Sequence, residues 1–140
     1  FTMHEQNHAY RIISMEERPE AGRGLKTWMG DSRGHWDGDT LVVETTNFTD
    51  KVYERRVSNT VFGAGEAMNL VERFTRVDAD TLDYRFTLTD PTTFAKPWTA
   101  VIPMNAMDSP IHEYACHEGN YSMENMLRGA RAKESHLAMP

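Results

Sequence analysis

His112-Glu113-Tyr114-Ala115-Cys116-His117-Glu118 is the densest grouping of proton-carrying and metal-ligating side chains in this 140-residue chain. Read as a strand, it sets His112, Tyr114 and Cys116 on one face and Glu113, Ala115 and His117 on the other, because side chains alternate along an extended backbone. The first set has the chemistry to shuttle a proton or bind zinc. The plainer account is a half-buried strand in which Cys116 is a small hydrophobe and His112 is hydrogen-bonded. A metal would need further ligands from another element. His117 would be a second donor there, and His35, His4 and His8 are the remaining candidates.

Glu72 stands apart. It alternates in phase with Leu70 and Phe74, so an extended reading points its carboxylate toward an apolar interior. A buried carboxylate must find a partner or become neutral. Arg73 points the other way, which leaves Arg11 or Arg85. An inward Glu is a candidate general acid or base, and a structural ion pair on a wet face is the bland alternative. The catalytic candidates are therefore His112, Glu72, Tyr114 and His35.

Two other patterns carry less. His4-Glu5-Gln6-Asn7-His8 matches the zinc-protease motif H-E-x-x-H, which works only when a helix brings both imidazoles to one face. Here the β-type run Ala9-Tyr10-Arg11-Ile12-Ile13 follows it. An extended chain would hold the two histidines roughly 13 Å apart, so the expectation is a turn with two exposed histidines. Asp31-Ser32-Arg33-Gly34-His35 contains the residue types of a hydrolytic triad, but a triad is a spatial arrangement and adjacency in sequence does not supply it. No G-x-S-x-G elbow, phosphate-binding glycine loop or EF-hand loop is present, and no feature calls for a cofactor.

The elements that must position these groups are strands. Leu82, Tyr84, Phe86 and Leu88 alternate with Asp83, Arg85, Thr87 and Thr89, the period-two pattern of a half-buried strand. Asp37-Gly38, between Trp36 and Leu41-Val42-Val43, reads as the two-residue type I′ loop of a hairpin, with Trp36 opposite Asp39 and His35 opposite Thr40. Trp36, Leu41, Val43 and Thr45 then share one face, expected to be the core, and Arg33, His35, Val42 and Glu44 share the other. Residues 68–77 form a further strand. For Phe74 to share a face with Phe86, the connection at Asp78-Ala79-Asp80 must be a three- or five-residue loop. Residues 98–104 form a strand whose Pro103 marks an edge or a bulge. Residues 111–116 form the last strand. The spacing of Met123, Met126, Leu127 and Ala130 predicts an amphipathic helix over about 121–133, with Ser122 as its N-cap. Residues 16–30, 47–65 and 90–97 read as loops.

Seven or eight short, mostly antiparallel strands with one C-terminal helix define a mainly β fold. The expected architecture is a meander closing into a small lipocalin-like barrel or a sandwich, with a two-layer α+β sheet as the alternative. The whole of 1–140 is read as a single barrel-like domain. Tyr10, Trp36, Tyr84, Phe86 and Trp98 would line its interior and bind a small, partly apolar organic molecule. Net charge of −6 argues against a nucleic-acid groove. No run approaches the roughly 18 apolar residues of a membrane-spanning helix.

The strings WMGDSRGHWDGDTLVVET at 28–45, Glu72-Arg73-Phe74-Thr75-Arg76, Asp90-Pro91-Thr92 and EYACHEGNY at 113–121 resemble the C-terminal half of a large group of uncharacterised, exported bacterial proteins. The likeness spans most of the chain, and His4 lies outside its pattern. It implies a periplasmic or secreted location and a longer precursor, and it transfers no catalytic residue. Three functional readings follow from the residues. The first is a small-molecule-binding domain, with or without proton-transfer chemistry of an isomerase, lyase or hydrolase kind. The second is a histidine-ligated metalloenzyme. The third is a structural domain or homodimer, whose mark would be an exposed edge or apolar patch at 1–15 or 98–104.

Overall fold

Alternation drives the chain into one twisted ribbon. In the computed structural model, which describes residues 1–5, 8–16, 24–52, 65–115 and 117–137, eight strands and one α-helix form. They are β1 (Thr2–Met3), β2 (Tyr10–Arg11), β3 (Ile13–Ser14), β4 (Asp31–Asp37), β5 (Thr40–Thr46), β6 (Asn69–Arg76), β7 (Thr81–Thr89), β8 (Trp98–Asn105) and α1 (Ser122–Leu137), with a 3-10 turn at Asp50–Val52. Strands β3 to β8 lie side by side in chain order in a six-stranded sheet, and β1 pairs with β2 in a separate two-stranded one. Every pairing is antiparallel except β3 with β4, which is parallel.

The sheet does not close. Its ends are β3 and β8, so the barrel form of the expectation is replaced by an open sheet with a hairpin on one face, nearer the sandwich form. The physical reason lies in the termini of the ribbon. A barrel needs its two edge strands to pair, and here one edge is a two-residue strand in parallel pairing, far too short to receive the eight residues of β8.

The central hairpin differs from its expected geometry by one step. Trp36 pairs with Leu41 and Asp37 with Thr40, so the loop is Gly38-Asp39. Gly38 has φ of 58° and Asp39 is not among the residues with positive φ. That is the type II′ pattern, with glycine at the first central position, rather than I′. The slip changes the sum of paired positions by two, so the faces survive it. The β6–β7 connection is the three-residue loop Asp78-Ala79-Asp80, closed by the Val77 amide donating to the Thr81 carbonyl at 3.0 Å.

One face of the sheet carries Trp36, Leu41, Val43, Thr45, Glu72, Phe74, Tyr84 and Phe86 by register. Val43 and Thr45 there are fully buried and Leu88 is 5% exposed, but Trp36 is 65% exposed. Trp36 sits at the hairpin end, and burial on this face is concentrated nearer β2, where Arg11 reaches the sheet. The opposite face holds the threonine and charged rows. Thr40 and Thr75 hydroxyls meet at 2.8 Å, as do those of Thr87 and Thr99, and Arg73 pairs with Asp37 at 2.7 Å. That guanidinium, by hydrogen bond and by charge, holds the Asp37 carboxyl below the ordinary carboxylate range. Val42 is buried on this same face, so β5 is covered on both sides.

Residues 111–115 are not a strand, contrary to expectation, and Cys116 lies outside the described residues. Residues 17–23 of the first loop and 53–64 of the second lie outside them as well. Helix α1 runs a turn further than its apolar spacing suggests. The Ser122 amide is capped by Asn120 Oδ1 at 3.2 Å, so Asn120 supplies the side-chain cap expected of Ser122. Side chains from Tyr121 to Ser135 are all exposed, so the helix does not close the domain over its Met123, Met126 and Leu127 stripe.

Candidate functional site

Phase along β6 and β7 points Glu72 and Tyr84 into the apolar face, and phase along β2 and β3 brings Arg11 over them. Arg11 Nη1 donates to Glu72 Oε2 at 2.5 Å and to Thr45 Oγ1 at 3.3 Å, and Tyr84 Oη donates to Glu72 Oε1 at 2.8 Å. Thr45 in turn shares a hydroxyl–hydroxyl bond of 2.9 Å with Ser32. Arg11 is 8% exposed and Glu72 4%, so this is a buried ion pair linking residues 61 positions apart. Burial, then the bond to Glu72 and its negative charge, push the Tyr84 hydroxyl well above its ordinary value, with Arg11 opposing. Tyr84 therefore keeps its proton and hands Glu72 a permanent donor.

This geometry fixes the partners of Glu72. Each carboxylate oxygen accepts one hydrogen bond, Oε2 from the Arg11 cation and Oε1 from Tyr84, and each keeps a second lone pair. The structure shows Glu72 inward in a buried ion pair rather than in one on a wet face, with Arg11 rather than Arg85 as the partner.

Around the ion pair runs an aromatic row. Phe74 stacks on Tyr84 with centroids 4.8 Å apart, Tyr84 meets Phe86 at 5.7 Å, Phe86 meets Trp98 edge-on at 5.4 Å, and Trp98 meets Phe94 at 5.9 Å. Such pairs contribute beyond their buried area. At the Phe74 end the row opens into a cleft of about 450 Å³ bordered by Ile13, Trp36, Leu41, Phe74 and Leu82, with Thr2, Asp39 and Arg76 as its polar lining. Of the ligand-contacting candidates, Tyr84, Phe86 and Trp98 stand in the row and Trp36 borders the cleft. Tyr10 does not join them. It is 66% exposed and borders a different cleft, of about 750 Å³, with Arg11, Ser14, Met29, Asp31 and Ser32. Sequence reasoning passed over Phe74 and Phe94. Phe74 was detectable, since its parity with Glu72 places it beside Tyr84; Phe94 sits in a loop where no periodicity applies.

The histidines do not gather at Glu72. His35 lies on the opposite, polar face of β4 and is exposed. His112 and Tyr114 lie in the irregular 111–115 stretch, tied instead to the N-terminal loop. The His112 amide donates to Glu5 Oε1 at 2.8 Å and the Tyr114 amide to His8 Nε2 at 3.2 Å, with the His8 and Tyr114 rings edge to face at 6.4 Å. Glu5 and His8, two members of the H-E-x-x-H string, thus clip a backbone segment. Of that string His4, Glu5 and His8 are described, between β1 and β2, with the His4 amide donating to the Ala9 oxygen at 2.7 Å; Gln6 and Asn7 lie outside the described residues. Among the described residues, no three His, Cys, Asp or Glu side chains converge as a metal site would require. No helix among them is long and apolar enough to cross a membrane.

A second polar knot pins the loops behind the row. Asp90 Oδ1 accepts from the Thr92 amide and hydroxyl at 3.0 and 2.6 Å, and Oδ2 from the Gly65 amide and Thr93 hydroxyl, both at 2.9 Å. Asp90 is 1% exposed. Burial alone would raise its pKa, but the Thr92, Gly65 and Thr93 donors outweigh it and bring it down to about 2.

Comparison with family models, with curated proteins and with solved structures found no match.

Proposed function

We propose that this chain is a small-molecule-binding domain of a periplasmic or secreted protein, whose ligand is a small, partly apolar organic molecule. The ligand lies in the cleft between the β1–β2 hairpin and the sheet, against Phe74, Leu41 and Trp36. The observation carrying this reading is the continuous aromatic row that runs into an apolar cleft on an incompletely covered face. A cleft of that size suits a molecule of drug-like dimensions or smaller. The buried Arg11–Glu72–Tyr84 cluster supports the floor beside it. Binding is the core of the proposal, because the Glu72 carboxylate is anchored by Arg11 and Tyr84 and does not line the cleft.

The test is a titration with N-phenyl-1-naphthylamine, an uncharged aromatic probe. Saturable binding in the micromolar range is expected, with quenching of Trp36 emission. Phe74→Ala should weaken it by about tenfold or more, given the roughly 1.5 to 3 kcal/mol carried by a buried aromatic contact. Tyr10→Ala should leave it unchanged. Absence of saturable binding, or an unaffected affinity in a folded Phe74→Ala variant, overturns the reading.

A further inference from the structure

Strand β8 ends the sheet with eight residues, Trp98 to Asn105, and no charge among them. The uncharged stretch extends from Pro97 through Met107 in a chain where 26% of residues are charged. Natural edge strands are guarded by lysines, short length, inward charges or a covering element. Among the described residues the protection is a single Pro103, and Val101, Ile102 and Met104 are 53%, 44% and 39% exposed. An unguarded edge of this kind is a template for another strand.

The register of the ladder says which backbone groups are free. The Ala106 amide donates to the Asp80 carbonyl at 2.6 Å, in line with the pairing of Leu82 with Met104 and Tyr84 with Ile102. Hydrogen-bonded and non-bonded pairs alternate along an antiparallel ladder. Even-numbered residues of β8 therefore face β7, and Thr99, Val101, Pro103 and Asn105 face outward. Pro103 falls in the outward set, so its missing N–H costs the intrachain ladder nothing.

We propose that a second copy of this chain pairs with β8 antiparallel about a two-fold axis at Ile102, making one continuous sheet across two molecules. In that register Thr99 lies opposite Asn105 and Val101 opposite Pro103, and the outward amides of Thr99, Val101 and Asn105 all find carbonyls within the strand. A two-fold at Ala100 would instead place Pro97 against Pro103, two residues that cannot donate. The side chains also complement themselves. Ile102 meets Ile102, small Ala100 meets Met104, and Trp98 meets Ala106, with no charge facing another. For a chain of net charge −6, a neutral strand is where two copies approach with least repulsion. The other end of the sheet, β3, offers two residues and cannot serve.

The test combines sedimentation velocity over about 1 to 100 μM with directed cross-linking in a Cys116→Ser background. A concentration-dependent dimer is expected. Val101→Pro removes an outward donor from each copy, while the β7 ladder keeps its bonds. It should raise the dissociation constant about 10- to 100-fold with the circular dichroism spectrum unchanged. Ile102→Cys should form an inter-copy disulfide, since a directly opposed non-bonded pair brings Cα atoms to about 4.5 Å. Met104→Cys, opposite Ala100, should not. A monomer at every concentration overturns the proposal, as does cross-linking of Ile102→Cys no faster than Met104→Cys. The cross-linking arm stands if Val101→Pro fails to fold. Ligand binding by a stable monomer would leave the cleft reading intact while removing this one.

Discussion

Replacing Arg11 by Met should destabilise the fold by about 3 to 5 kcal/mol, because it strands the Glu72 carboxylate in an apolar face with the Tyr84 hydroxyl as its remaining donor. The size follows from the geometry. Side-chain exposures of 8% and 5% leave neither partner access to bulk water, and the 2.5 Å bond is the shortest link between the N-terminal hairpin and the sheet. A domain of this length has only about 5 to 15 kcal/mol in total, so the variant loses a large share of it. Glu72→Met alone should cost a similar amount by leaving Arg11 uncompensated.

The double variant Arg11→Met with Glu72→Met removes both charges and puts similar volume in their place, and it should sit within about 2 kcal/mol of the parent. The residue of the cost is chiefly the Tyr84 hydroxyl, left without its acceptor at about 1 kcal/mol, while Thr45 loses the Arg11 donor and keeps Ser32. Adding Tyr84→Phe should recover part of it. Urea unfolding followed by circular dichroism gives the cycle, with unchanged m-values as the check that the same transition is compared. Hydrogen exchange supplies a spatial readout, since Arg11→Met should expose the amides of β1 and β2 while β6 and β7 stay protected. If the two single losses simply add in the double variant, the pair is not coupled and the account of the buried network fails.

Asp90 sets the pH dependence. Its pKa is about 2 in the fold against 3.8 as an ordinary carboxyl. It therefore contributes stability that is fully present above about pH 4 and is lost as pH falls toward 2. The amount is about 2 kcal/mol. The stability gap between the parent and Asp90→Asn should narrow by about that much between about pH 5 and about pH 2; a constant gap refutes it. Gly30 and Gly38 separate strain from collision. Both have positive φ, but a Cβ on Gly30 would lie 2.6 Å from the Thr46 carbonyl oxygen, whereas one on Gly38 would meet nothing within 4 Å. Thermal unfolding of Gly38→Ala should show the conformational cost of about 1 kcal/mol and Gly30→Ala about 2 to 4 kcal/mol. Equal losses would mean that the backbone around Gly30 yields.

What could be read from the chain alone was whatever depends on strand phase. Tyr84, Phe86 and Trp36 share a face because each is tied to its neighbour by parity, and a loop displaced by one residue at each strand end keeps parity intact. Glu72 was placed inward on the same ground, and its partner was narrowed to two arginines because a buried carboxylate requires one. The length of the Asp78-Ala79-Asp80 loop was narrowed to three or five by the demand that Phe74 and Phe86 lie together, and the structure has three.

Cover is a different kind of property. Trp36 has the right phase for a core and remains largely exposed, because burial depends on which distant segment lies above it, and phase does not encode that. The same holds for α1, whose apolar stripe is periodic yet meets nothing that buries it. The 111–115 stretch shows the converse failure. Its alternation suggested a strand, but a strand needs a neighbour, and its amides are satisfied by the Glu5 and His8 side chains instead. Once those two carry backbone bonds, the H-E-x-x-H string has a structural task. Glu72 likewise ties the N-terminal hairpin to the sheet through Arg11 and to β7 through Tyr84. Glu5, His8 and Glu72 thus each hold distant parts of the chain together, and the surfaces proposed for binding and for pairing are instead apolar ones, the cleft beside Phe74 and the uncharged edge of β8.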